Sequence, residues 1–295
     1  MPHKILPESA TAEEVFHELK ASAASGDLLR LDDALQKWDS VDDLSWFIPN
    51  MSESLLRCEH PISDKALALQ RVLNVAAKQG HTEIVASLLD QKGCIVTRMA
   101  IKPALVRKQW DVMQLFLDRG WNINSPVEGG NTCSVLKEIL PSEIHVRWCL
   151  EHGADPMFRS AAKTKDILSH AGKIAPVKTL KILKEYGADF TKSNALHEAA
   201  LGLKPGRVEV MAYLLDEAGV PINQREFEYD ASFFNELRQL GLGTALHKAV
   251  EDKCLETVKF LLNRGIDRDI EDTKGRKAVD LARTHEFEEA LALLL

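Results

Sequence analysis

The sequence predicts an all-α solenoid built from stacked helix-turn-helix units that are joined by hairpin loops. Two nearly identical segments, NALHEAA at 194–200 and TALHKAV at 244–250, indicate an internal repeat. A second pattern is an apolar helix that ends in glycine, as in LFLDRG, WCLEHG, ILKEYG and YLLDEAG. The glycines of these four segments, at positions 120, 153, 187 and 219, are 32 to 34 residues apart. Both patterns fit a repeating unit of about 33 residues.

The lengths of the two helices in each unit explain why the units should stack. The first helix, as at 195–201, has about two turns, and isolated helices of that length are unstable in water. The second helix is amphipathic, as Val258, Leu261 and Leu262 illustrate. One helix pair cannot bury its apolar face alone, whereas neighbouring pairs form a continuous core. Glycine after the second helix favours a left-handed C-cap that ends the helix.

These segments resemble the ankyrin repeat, whose consensus begins TPLHxAA and continues GHxEVVxLLLxxGAD. Residues 244–250 and 194–200 match the opening, and AAKQGHTEIVASLLDQKG at 76–93 matches the remainder. The resemblance covers most of the chain and implies an ankyrin-repeat solenoid of about seven to eight units. The unit starts lie near His17, Arg71, Met99, Thr132, Asp166, Asn194, Thr244 and Arg276, and those at Met99, Thr132 and Asp166 lack TPLH.

His197 and His247 occupy the histidine position of the motif. The resemblance implies that each imidazole hydrogen-bonds within and between repeats. We therefore interpret both histidines as structural and not as catalytic groups.

The 50-residue spacing of the two motifs exceeds the repeat by about 17 residues, which places an insertion at 224–243. Its apolar spacing predicts a short amphipathic helix from about Ser232, with Asp230 or Ser232 as N-cap. The insertion either packs back on its own stack or forms one wall of a binding site, because loops are where scaffolds acquire function. Its aromatic residues are Phe227, Tyr229, Phe233 and Phe234.

The predicted organisation has four parts. Residues 1–70 form an N-terminal helical cap with a degenerate first repeat and an insertion, and residues 71–223 are ankyrin repeats. Residues 224–243 are the inserted aromatic finger. Residues 244–295 hold one ankyrin repeat and a capping repeat.

Composition excludes several classes of protein. The formal charge of −7 argues against general nucleic-acid binding, and no apolar run is long enough for a membrane-spanning helix or a signal peptide. Five cysteines without CxxC spacing argue against a disulfide framework or a zinc site, so we expect a cytoplasmic or nuclear protein. The sequence has no GxGxxG, P-loop, HExxH or GxSxG motif, and we expect no cofactor and no metal.

Charge is unevenly distributed along the chain. Residues 1–65, 66–192 and 193–295 carry net charges of −7, +6 and −6. Either these are solvated faces, or the basic middle prefers an anionic partner. By the register of the resemblance, Lys78, Arg107 and Lys173 end first helices and would steer an acidic segment, with Trp121 as an aromatic contact in a hairpin.

The resemblance implies a non-catalytic protein-protein interaction module that binds another protein through its concave groove and the finger. In this interpretation Phe227, Tyr229, Phe233 and Phe234 are aromatic contact residues. The alternative is a cofactor-free isomerase, cyclase or hydrolase, or a small-molecule binder, with a pocket between finger and groove. A finger that closes over the groove and encloses a cavity would favour this alternative. A third hypothesis, recognition of a modified peptide tail, requires an aromatic cage beside a carboxylate.

Overall fold

The computed structural model describes residues 11–50, 62–125, 134–159, 166–202 and 204–295. Every regular element within these ranges is helical and none is a strand, which confirms the predicted all-α class. The chain divides into two compact units, Met1–Asn122 (unit 1) and Ile123–Leu295 (unit 2).

Unit 1 contains three helix pairs in its described residues. The first helices α1, α3 and α5 pack side by side, and the second helices α2, α4 and α6 form the neighbouring row. The pairs are α1 (Ala12–Ser25) with α2 (Leu28–Asp39), α3 (Asp64–Gln79) with α4 (Thr82–Gln91), and α5 (Arg98–Val106) with α6 (Trp110–Asp118).

Unit 2 repeats this arrangement in five further pairs within its described residues, and it carries one extra helix, α13 (Ala231–Leu237). Together with unit 1 this gives eight described pairs, as the repeat pattern predicts. The pairs are α7 (Val135–Ile139) with α8 (Glu143–Glu151), α9 (Ile167–Ile174) with α10 (Val177–Glu185), α11 (Ala195–Ala200) with α12 (Arg207–Asp216), α14 (Ala245–Glu251) with α15 (Leu255–Asn263), and α16 (Ala278–Thr284) with α17 (Glu288–Leu294).

The second helices end as the glycine pattern predicts. All six glycines that follow them have φ between +67° and +93°, the left-handed region that residues with a Cβ adopt at a cost. The chain can therefore leave each second helix sharply and enter the next hairpin. These glycines are Gly93, Gly120, Gly153, Gly187, Gly219 and Gly265.

The motif histidines link neighbouring repeats. His247 Nε2 lies 3.1 Å from the carbonyl oxygen of Arg276 in the next unit, so this nitrogen carries the proton and donates it. Its Nδ1 accepts from the backbone N–H of Thr244 at 3.1 Å. Burial lowers the pKa of His247, and it lowers the pKa of His197 to about 4. Both imidazoles are therefore neutral near pH 7, and the Nε2 atom of each donates to a carbonyl outside its own helix, as the resemblance implies.

The N-terminal insertion contributes aromatic packing to unit 1. Trp46 lies 5.1 Å from Phe16 and 6.5 Å from Trp38 between ring centroids, and Phe47 is buried beneath the guanidinium of Arg71. This part of the insertion packs on the first helices of unit 1 without forming a helix of its own, and residues 51–61 lie outside the described ranges.

Three cysteines lie in the described ranges, and all three are free thiols. Burial raises the pKa of the Cys94 and Cys149 thiols to about 12, so they behave as small apolar side chains. Cys254 is half-buried. Cys58 and Cys133 fall outside the described residues.

Candidate functional site

The finger, residues 224–243, is an enlarged hairpin of unit 2. An antiparallel bridge between Arg225 and Thr244 closes its base, and the N–H of Glu226 donates to the carbonyl of Gly243 at 2.9 Å. Helix α13 begins after Asp230, whose carboxylate accepts from the N–H of Phe233 at 3.1 Å. The predicted short helix and one of its two predicted N-caps are confirmed.

The finger has a small apolar core of its own. Phe227, Phe233 and Leu242 are 9%, 5% and 3% exposed, and the two phenyl rings meet edge to face at 5.1 Å. Tyr229 and Phe234 are partly buried and pack against this cluster. Phe227 and Phe233 therefore support the finger from within, which leaves the outer face of α13 as its accessible surface.

A buried hydrogen bond helps to fasten the finger to the repeat stack. Phe227 has a φ of +60°, which is strained for a bulky side chain by about 1 kcal/mol or more. Its N–H donates to Asn194 Oδ1 at 2.9 Å, and Asn194 is 5% exposed. The buried amide thus holds the strained residue in place.

Asn194 and Thr244 are equivalent motif positions with different tasks. The hydroxyl of Thr244 donates to Nδ1 of its own histidine, His247, at 3.0 Å. The side-chain oxygen of Asn194 instead accepts a hydrogen bond from Phe227 of the finger. As a result, Nδ1 of His197 is buried without a hydrogen-bond partner among the described residues. Asparagine in place of threonine at the first position of the motif therefore serves to anchor the finger. The repeat pattern alone did not reveal this role.

Asn194→Thr is expected to release the finger while leaving the repeat folded. Threonine can supply a donor to His197, worth about 1 kcal/mol, but it cannot reach the N–H of Phe227. We expect amide hydrogen exchange at residues 227–237 to accelerate, with little change in the urea midpoint. Thr244→Ser, which keeps the hydroxyl at the equivalent position, is the control. Unchanged protection in the Asn194 variant would contradict the anchoring role.

The finger also contacts one hairpin upstream and one hairpin downstream of it. The guanidinium of Arg159 lies 4.9 Å from the ring centroid of Tyr229, and the hydroxyl of Thr273 accepts from the N–H of Leu242 at 2.8 Å. That hydroxyl also donates to the carbonyl of Arg238. The finger packs directly on its own stack, which is the first of the two interpretations that the sequence left open.

Charged side chains pair with each other at the first-helix ends of unit 2. Lys173 lies 3.4 Å from Glu198, and Lys248 lies 3.2 Å from Glu226 and 3.5 Å from Glu251. The side chain of Glu226 is 13% exposed, and burial raises its pKa. Lys173, predicted to steer an acidic partner, is thus already engaged by a carboxylate of its own chain.

The corresponding positions of unit 1 differ. Three exposed cations lie at these helix ends: Lys78 at the end of α3, and Arg107 and Lys108 at the end of α5. None of the three forms an ion pair with a described residue. Val106 beside them is 65% exposed. Trp121 is half-buried, and its indole Nε1 has no hydrogen-bond partner in the described ranges. The register of the resemblance also implies hairpin contacts at Pro126, Val127 and Glu128, and these three residues lie outside those ranges.

The described residues include no cluster of three or more histidine, cysteine or acidic side chains that could hold a metal ion. Among the helices in those ranges, none combines the length and apolar character that crossing a bilayer requires.

Comparison with known proteins identifies the repeat. Residues 243–273 match the family model described as "Ankyrin repeat". A similar protein is Alpha-latrotoxin-Lg1a from Latrodectus geometricus, at 29% identity over 113 residues, which are 38% of this chain and 8% of that protein. This chain therefore matches only a small part of the length of that relative. Among solved structures, EF0377, an ankyrin repeat protein, aligns with a TM-score of 0.46 and 20% identity over 63% of this chain and 90% of its own.

Proposed function

We propose that this chain, an ankyrin-repeat protein, binds another protein and that the first-helix ends of unit 1 receive an acidic segment of that partner. Ankyrin repeats are generally protein-interaction modules. The proposal adds where this chain makes its contact and what charge the partner carries there. We also propose a cytoplasmic or nuclear location, which the three free thiols of the described residues support.

The contrast between the two units carries the proposal. In unit 2 the lysines at first-helix ends are neutralised by Glu198, Glu226 and Glu251. In unit 1 the cations Lys78 and Arg107 have no such partner among the described residues and stand beside an exposed valine. Unpaired cations beside apolar surface suit a segment that carries both carboxylates and an apolar side chain.

Trp121 extends this surface within unit 1. Its ring is half-buried, so it is held in place, and its indole N–H has no described partner. The Nε1 atom itself is buried, so a partner would meet the exposed part of the indole ring and not its N–H. A rigid aromatic side chain also gives contact area at a small entropic cost.

Charge reversal in unit 1 tests the proposal. A fluorescent peptide that alternates glutamate and leucine would be titrated into the whole chain, with fluorescence anisotropy as the readout. Lys78→Glu combined with Arg107→Glu is expected to weaken binding by about tenfold or more, and added salt is expected to weaken wild-type binding. Lys253→Glu combined with Lys259→Glu, two exposed cations of unit 2, makes the same change in net charge and is the control.

Equal losses in both double variants would show that the peptide senses net charge alone and would overturn the assignment to unit 1. No binding to the wild-type chain would overturn the acidic-segment proposal itself. A circular dichroism spectrum of each variant confirms that the helices are intact.

The alternative function, a small-molecule site or cofactor-free enzyme between finger and groove, is favoured by one observation. The hydroxyl of Tyr229 is buried, and burial raises its pKa, yet it has no hydrogen-bond partner among the described residues. Replacing 225–240 with a Gly-Ser loop and comparing the small molecules that each form retains from a cell extract tests this hypothesis. Retention by the wild type alone would support it.

A further inference from the structure

An open cleft of about 540 Å³ lies between α2 and α4, which are two of the second helices of unit 1. One face of each helix lines it, at helical spacings of three and four residues. The lining residues include Leu28, Asp32 and Leu35 from α2, with Glu83, Ala86 and Ser87 from α4.

Small side chains explain why the cleft is open. Ala86 and Ser87 face it from α4, whereas α6 has Gln114 and Leu115 at the corresponding positions of its repeat. First helices α1 and α3 are meanwhile held close, because Gly26 leaves room for the His81 ring, which a Cβ would approach to 2.7 Å. The first helices α1 and α3 are therefore in close contact, whereas the second helices α2 and α4 are separated by the cleft.

The cleft combines an apolar floor with unpaired negative charge. Leu28, Leu35 and Ala86 contribute carbon surface, and Leu29 next to them in sequence is 84% exposed. Asp32 and Glu83 stand on opposite walls, exposed and without an ion pair among the described residues.

The other charges near the cleft are already balanced within unit 1. Asp90 is paired with Arg119 at 2.7 Å, and Lys92 is paired with Asp39 at 2.8 Å. The net charge offered to a ligand is therefore that of the two remaining carboxylates.

We propose that this cleft is a second docking site, which binds a basic amphipathic segment of a partner protein. Apolar side chains of the segment would enter between α2 and α4, and lysine or arginine on its two edges would meet Asp32 and Glu83. This site lies on the second-helix row and has the opposite charge to the proposed acidic-segment site. It does not depend on that proposal.

A designed peptide provides the probe. A fluorescent helix with leucine on one face and lysine on its flanks would be titrated into the whole chain and followed by anisotropy. Asp32→Lys with Glu83→Lys is expected to weaken binding by about tenfold or more. Ala86→Trp fills the cleft without changing charge and is expected to weaken binding by a similar factor. Glu209→Lys with Glu256→Lys, at the positions in α12 and α15 that correspond to Glu83, makes the same change in net charge and is the matched control, which should bind as the wild type does.

Each remaining outcome would overturn the proposal. Equal weakening by Glu209→Lys with Glu256→Lys would show general attraction to a chain of net charge −7. Equal binding of a peptide with glutamate in place of lysine would show that charge plays no part. Wild-type binding that survives Ala86→Trp would place the peptide outside the cleft. Concentration-dependent dimerisation in sedimentation velocity that Glu83→Lys abolishes would identify a second copy of this chain as the occupant.

Discussion

Gly172→Ala is expected to lower the free energy of unfolding of unit 2 by about 2 kcal/mol or more. Gly172 lies in α9, and a Cβ there would stand 2.2 Å from the carbonyl oxygen of Ala195 in α11. Alanine would gain about 1 kcal/mol of helix propensity over glycine. That gain is smaller than the cost of moving two backbones apart, because a backbone oxygen cannot turn aside as a side chain can. Urea unfolding followed by circular dichroism measures the difference.

Gly187→Ala is the matched control for this prediction. Gly187 ends α10 with φ of +93°, and an added Cβ would meet nothing within 4 Å. The expected loss is about 1 kcal/mol, from backbone strain alone. A loss at Gly187 that equals or exceeds the loss at Gly172 would contradict the close approach of α9 to α11.

Lys248→Met is expected to destabilise unit 2 by about 2 to 3 kcal/mol near pH 7. The substitution keeps the length of the side chain but leaves Glu226, which is 13% exposed, without its cation. The value lies below that of a fully buried pair because Lys248 is 29% exposed. Lys253→Met, an exposed lysine in the same unit without a described ion pair, should change stability by less than about 0.5 kcal/mol.

The pH dependence of this loss follows from the raised pKa of Glu226. A carboxyl group whose folded pKa lies above its unfolded pKa stabilises the fold at low pH, and that contribution disappears as pH rises through the folded pKa. The difference in free energy of unfolding between the wild type and Lys248→Met should therefore shrink as the pH falls toward 4.5, the ordinary pKa of a glutamate. Adding Glu226→Gln to Lys248→Met should recover most of the loss at pH 7. A deficit that is constant with pH would assign the effect to packing.

The sequence predicted the repeat architecture well because its signals are local. The glycine after six of the second helices and the TALH motif at 244–247 act within one or two units, and the structure confirms both. The helix of the finger and its N-cap, Asp230, were predictable for the same reason. The predicted domain boundaries inside the array and the predicted binding residues have no test in these observations and stay predictions.

Long-range pairing escaped the sequence. Nothing near Lys173 in the sequence indicates Glu198, and nothing near Lys248 indicates Glu226, since these pairs form only when α9, α11, α14 and the finger are stacked. Lys78 and Lys173 therefore look alike as sequence positions but differ as binding groups. The cleft between α2 and α4 was missed as well, because it depends on small side chains at Ala86 and Ser87 that are unremarkable in a helix.

The position of the finger also bears on how unit 2 unfolds. In an array whose repeats touch only their neighbours, unfolding can begin at one end and advance as a boundary along a one-dimensional chain. The finger breaks that rule, because it precedes α14 yet reaches Arg159 in the hairpin before α9, two repeats upstream, and Thr273 in the hairpin before α16. Through this contact, the stability of one repeat depends on a repeat that is not its neighbour. Because a boundary that moves from α9 to α14 must break this contact, we expect it to add to the coupling between these repeats during unfolding.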